Sequence, residues 1–241
     1  METRKQRIEA VKIEMNSDFT DYYDSELSRT SARVSKPGEV FNFNRKVIPG
    51  MTKWKKLDKL TEIGWNVPPF GQAMDLCEAL PIEAIYKGDQ VDCFLFLEDS
   101  PSRQKKVKMN LFEAAEKYPN NLAMLYIPTK KESDGKVSSV KYVRVGKEHF
   151  FVKLTSDHSY CSDEGNVEMS YLNNTFGINL APLSEEDPLF SVNMIQSEGG
   201  VWYAVGYNKN PVLRDSPLED RLPPEEVSYL IKEFFLSQNN V

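Results

Sequence analysis

The chain has 241 residues, 40% of them hydrophobic and 27% charged, and carries a net charge of −6. That length and balance suit one large domain, or one domain with an arm, and exclude collagen-like, low-complexity and wholly disordered chains. The charge is segregated: residues 29–60 hold nine Lys or Arg against two acids, residues 103–153 twelve against five, and residues 154–241 four against fourteen.

Residues 2–15 can form a helix, with Ile8, Val11 and Met15 at steps of three and four. From Ser28 to Gly50 the breakers Pro37, Gly38, Pro49 and Gly50 suggest an arm or long loop, with one strand-like piece at 39–47. The spacing predicts short helices near 58–63 and 70–80. A hairpin is predicted from 82–87 and 91–97 around Gly88-Asp89.

Asn110 can cap a helix that ends before Pro119. The apolar runs at 122–127, 137–145 and 148–154 suggest an antiparallel meander. Ser197-Glu198-Gly199-Gly200 joins strands at 189–196 and 201–207 in a hairpin. Pro223-Pro224-Glu225-Glu226 opens a last helix, with acids placed favourably against its dipole. Together these predict an α+β fold: a largely antiparallel sheet with packed helices and an extended N-terminal arm. Residues 1–60 are the helix and basic aromatic arm, and 61–241 the α+β body.

No window approaches the roughly 20 apolar residues that span a bilayer, and charges interrupt the N-terminus too often for a signal peptide. Cys77, Cys93 and Cys161 are odd in number and widely spaced. Reduced thiols in a cytoplasmic protein follow.

No motif names a reaction. Gly199-Gly200 leads into a strand, so a phosphate-binding loop opening a helix is not expected, and no cofactor is expected. His149, His158, Cys161 and Asp163 are the one metal-like grouping, in a spacing that matches no standard site. The same cysteine and histidines would have to meet in space for thiol catalysis. Glu83, Asp92, Glu98 and Asp99, with Lys105, Lys106 and Lys108 downstream, resemble a metal-dependent nuclease set without its clean signature.

The basic segment carries more. Arg29, Arg33, Lys36, Arg45, Lys46, Lys53, Lys55, Lys56 and Lys59 interleave with Phe41, Phe43 and Trp54. Arg103, Lys105, Lys106 and Lys108 would extend that surface if they lie nearby. Cations of this kind dock on acidic protein surfaces or neutralise phosphates, while aromatic faces stack on unpaired bases. The first reading is therefore a non-catalytic assembly or adaptor protein that docks on protein partners, another copy included. The alternative is a single-strand or RNA-binding protein, with a metal-dependent hydrolase third.

Overall fold

The computed structural model describes residues 13–16, 31–36, 39–43, 51–80, 91–99, 104–157, 167–173, 188–208, 211 and 216–238. Its elements begin with β1 (Ile13–Asn16), β2 (Ser31–Lys36), β3 (Glu39–Phe43), α1 (Lys53–Glu62), β4 (Phe70–Gln72) and α2 (Ala73–Glu78). Next come β5 (Asp92–Asp99), β6 (Gln104–Asn110), α3 (Leu111–Lys117) and β7 (Leu122–Leu125). The chain continues through β8 (Val137–Val145), β9 (Glu148–Ser156), β10 (Val167–Leu172), β11 (Leu189–Gln196), β12 (Trp202–Asn208) and α4 (Pro224–Gln238). The strands form three antiparallel sheets, in the orders β1-β2-β3, β4-β7-β5-β6 and β10-β9-β8-β11-β12. The class is α+β, as the sequence predicts. Among the described residues no helix is long and apolar enough to cross a membrane.

Local chemistry accounts for most boundaries. Asn110 accepts the backbone N–H groups of Phe112 at 2.9 Å and Glu113 at 3.4 Å, and so starts α3. Thr52 does the same for Lys55 at 3.3 Å, which starts α1 five residues before the predicted 58–63. Pro68-Pro69 holds the chain extended, so 70–72 is a strand and the expected 70–80 helix is confined to Ala73–Glu78. The β8–β9 turn at Gly146 and the β11–β12 turn at Gly200 use positive φ, 61° and 83°, which glycine adopts without a Cβ penalty.

Three expectations need correction. Ile13–Asn16 is a strand on β2, not the end of a helix. Apolar residues at 13 and 15 fit a period of two as well as a helical face, and four residues cannot separate the periods. Residues 28–50 hold two strands where one was expected, with Val34 opposite Phe41. The run at 122–127 does not join a meander with β8 and β9; β7 lies between β4 and β5. Leu122, Ala123 and Met124 are buried on both faces, which suits a central strand, and Pro128 lacks the N–H needed to extend it towards β8. The expected strand at 82–87 lies outside the described residues, and β5 pairs instead with β6 and β7.

Alternation along the strands creates the layers. Cys93, Leu95 and Ala123 face α2 and α3, meeting Ala73, Leu76 and Leu111. The opposite face of that sheet carries Phe96, Leu122 and Met124 against Leu57 of α1. In the five-stranded sheet, Val143, Val145 and Leu189 are covered by Val227, Leu230 and Ile231 of α4. Its other face packs Tyr142, Phe190 and Met194 with Leu60 and Trp65. Each fully buried Leu contributes about 2 kcal/mol by removing apolar area from water.

Candidate functional site

A cavity of about 600 Å³ opens between the β4-β7-β5-β6 sheet and the five-stranded sheet, with α1 along one side. That volume suits a small organic ligand.

The first wall follows from strand period and register. Cys93 and Leu95 point into the core, so Phe94 and Phe96 point the other way, into the cavity. The register sets Lys106 opposite Phe96 and Lys108 opposite Phe94. Both lysines therefore stand among aromatic rings: Lys106 Nζ lies 5.4 Å from the Phe94 ring centre, and Lys108 Nζ 3.9 Å from that of Tyr126. Lys108 also pairs with Asp92 at 2.9 Å. Met124 and Tyr126 complete this mostly apolar wall.

The second wall uses alternate residues of β8. Val143 and Val145 lie under α4, and Val137, Ser139 and Lys141 continue the same face beyond it, into the cavity. Asn193 and Ile195 of β11 stand beside them, and β12 adds its 205–208 segment.

Helix α1 brings Lys53 and Lys56 to the cavity. Its position is fixed at both ends of the contact. The Asp99 carboxylate, at the end of β5, accepts the backbone N–H of Lys53 and that of Trp54, the latter at 3.1 Å. The Lys53 ammonium donates to the carbonyl of Val205 on β12 and stands over the Phe96 ring, 5.5 Å from its centre. Burial lowers the Lys56 pKa, partly offset by Asp99.

The site thus sets four lysines, from α1, β6 and β8, around aromatic and aliphatic surface. The other polar side chains lining it are neutral or phenolic, and no carboxylate lines it among the described residues. Such an arrangement suits an anion joined to a flat apolar group.

The residues singled out in the sequence divide. Lys53 and Lys56 reach the cavity. Trp54 instead meets Phe70 edge-on, ring centres 6.2 Å apart, as a packing residue. Lys55 is exposed, and neither it nor Lys59 lines the cavity. Arg33, Lys36, Phe41 and Phe43 fall on β2 and β3. Arg29, Arg45 and Lys46 lie outside the described residues. Lys106 was visible in the sequence as an extension of the basic surface. Lys141 and Asn193 also line the cavity, and their one signal in the sequence is a polar residue between apolar neighbours.

Of the metal, thiol and carboxylate candidates, His149, Asp92, Glu98 and Asp99 fall among the described residues. His149 keeps an exposed edge while its ring stacks on Tyr142, centres 5.7 Å apart, with Nδ1 2.7 Å from the phenol oxygen. Burial of that flank, then Arg144, lowers the His149 pKa. Asp92 is paired, Asp99 caps α1, and Glu98 is exposed. Among the described residues no three His, Cys, Asp or Glu are placed to hold a metal. Glu83, His158, Cys161 and Asp163 lie outside them.

No protein family and no curated protein matches the sequence. Several solved structures resemble the chain. One is an ATP-grasp ligase from Chryseobacterium gregarium, solved with ADP and a leader and core peptide; it is 17% identical, over 77% of this chain and 59% of the ligase, with a TM-score of 0.48. A second is the ATP-grasp ligase PsnB with a minimal precursor variant, Mg and ADP: 12% identical, over 79% of this chain and 59% of that one, TM-score 0.44. A third is D-alanine–D-alanine ligase from Bacillus anthracis with ATP: 13% identical, over 80% and 68%, TM-score 0.44. The chain spans 59% of the length of the first of these.

These similarities overturn the first functional expectation. The proteins the chain resembles are ligases, which are enzymes, not non-catalytic adaptors, assembly components or RNA-binding proteins. Within the described part of the basic segment, α1 turns Lys53 and Lys56 into the cavity and leaves Lys55 outside it.

Proposed function

We propose that the cavity between the two sheets binds a nucleoside di- or triphosphate. The observation that supports this is the lining itself. Lys53, Lys56, Lys106 and Lys141 come from both walls and from α1, so they can meet a polyphosphate from several sides. Phe94, Phe96 and Tyr126 offer rings on which a base can lie, and Met124 and Ile195 add apolar contact. Lysine neutralises phosphate as a point charge and does not demand a planar fork geometry. The role is therefore charge compensation.

The solved ligases supply only the reaction class to assay: ATP-dependent ligation, with a peptide as the first acceptor to try. A carboxylate activated by phosphoryl transfer would release ADP, so peptide-dependent ADP formation is the readout.

Binding is tested first. Titration calorimetry on the full chain with ATP, ADP, AMP and inorganic tripolyphosphate separates the base from the phosphates. ATP and ADP should bind, and AMP should bind more weakly than ADP. Tripolyphosphate binding as tightly as ATP would show a phosphate site without a base pocket. ATP binding unaffected by Lys106→Gln and by Lys141→Gln would reject the cavity as the site.

A further inference from the structure

Lys56 differs from its neighbours on α1 in its surroundings. It is the fourth residue of the helix, with its backbone N–H bonded to the Thr52 carbonyl at 3.1 Å. The next residue, Leu57, is fully buried against Phe96, Leu122 and Met124. That anchor fixes the rotation of the helix, so Lys56 enters the cavity while Lys55 stays exposed outside it. Lys53 enters the cavity too, but its ammonium donates to the Val205 carbonyl.

Two physical effects disfavour a charged amine at position 56. The first is loss of hydration beside the apolar lining, where Pro68, Phe94, Phe96 and Met124 stand. The second is the helix dipole, since the first turn is its positive end and α1 has no acidic side chain there. Asp99 opposes them through its charge, yet burial is the larger effect and the Lys56 pKa is lowered. Lys56 therefore holds more neutral amine near neutral pH than an ordinary lysine does.

A desolvated lysine amine adds to carbonyl carbons, and aromatic rings beside it receive a flat group by stacking. Phe94, Phe96 and Tyr126 offer such rings in the same cavity. We infer that Lys56 is a nucleophilic amine, and that the cavity takes a flat aromatic aldehyde onto it as an imine. The nitrogen lone pair adds to the carbonyl carbon to give a carbinolamine. The carbon–oxygen bond then breaks, and the oxygen leaves as water with the two protons of the amine. This chemistry needs no nucleotide, so it holds or fails separately from the reading above.

The test treats the full chain with pyridoxal 5′-phosphate at neutral pH. Borohydride then locks the imine as a secondary amine, and peptide mass spectrometry maps it. Lys56 should be labelled about tenfold faster than Lys55 and Lys59, which lie on the same helix but do not line the cavity, because binding there positions the carbonyl. In urea the preference should vanish, since it belongs to the fold. Equal labelling of the three in the folded protein overturns the inference, as does preferential labelling of Lys53 or Lys106. A preference for Lys56 that persists in urea also overturns it. Pyridoxal, which lacks the phosphate, should keep the preference; its loss would assign the labelling to phosphate attraction and overturn recognition of the aromatic aldehyde. Preferential labelling of Lys56 that saturating ATP does not slow would support the imine site and overturn the nucleotide reading.

Discussion

The carboxylate of Asp99 accepts the backbone N–H of Trp54 at 3.1 Å, and so ties the end of β5 to the first turn of α1 across 45 residues of sequence. The bond matters because Lys53 and Lys56, on the same turn, reach the cavity. An anion at a helix N-terminus satisfies otherwise unpaired N–H groups and faces the positive end of the dipole. Asp99→Ala should cost about 1 kcal/mol in urea denaturation. The same variant should weaken ATP binding, although Asp99 is not itself a lining residue. Unaltered ATP affinity would show that the helix is positioned by other contacts.

Gly146 presents a second tie, between the β8–β9 turn and α4. Its φ is 61°, and a Cβ placed there would lie 2.3 Å from the backbone carbonyl oxygen of Leu230. Its N–H donates to the Pro188 carbonyl, and its own carbonyl accepts from Nε of the buried Arg144 at 2.8 Å. Alanine would meet both the left-handed penalty and a backbone clash that no rotamer relieves. Gly146→Ala should therefore cost more than about 2 kcal/mol. The urea midpoint reads this, with Gly200→Ala as comparison: φ is 83° there, but nothing lies within 4 Å, so the loss should be smaller.

How far the sequence discloses this architecture depends on how local the deciding contact is. The Asn110 cap, the Gly199-Gly200 hairpin and the proline-led α4 are set by neighbours within a few residues, and all three are found. The placement of β7 beside β4 and β5 depends on burial of both its faces, for which an apolar run at 122–127 gives no direction. The cavity was less legible still. Phe94, Lys106 and Lys141 meet across two sheets, and no spacing along the chain brings them together. The basic stretch at 53–59 looked like one surface because adjacent charges read alike in sequence. A helix turns them to different sides, so Lys53 and Lys56 line the cavity and Lys55 does not.

Cys93 tests the core of the smaller body sheet. It is fully buried among Leu95, Leu111 and Ala123, and burial, with Asp92 adding, pushes its thiol up to about 12. Thiolate is the reactive form, so the native protein should present almost none at this position near neutral pH. A chromogenic disulfide reagent at about pH 8 should label Cys93 only after unfolding, its rate following urea concentration. Peptide mapping identifies the site. Prompt labelling of Cys93 in the folded protein would mean that α2 and α3 do not cover this sheet.

Glu132 gives the pH dependence a definite sign. Hydrogen bonds from Lys153 and from Ser138 hold its carboxyl below the ordinary 4.5. A carboxylate whose pKa is depressed by folding contributes stability above its unfolded pKa, and that contribution is lost as pH falls through the folded value. The group is more than a third exposed, so solvent screens it and its worth is under about 1 kcal/mol. Glu132→Gln should therefore lower the urea midpoint slightly at about pH 7. The gap to the unmodified protein should narrow as pH falls below about 4 and close only once the depressed folded value has been passed, where both carry a neutral side chain. High salt should narrow the difference at neutral pH in the same direction, because it screens the ammonium–carboxylate attraction that acid removes. A gap that persists at low pH would assign the loss to packing of the side chain instead of its charge.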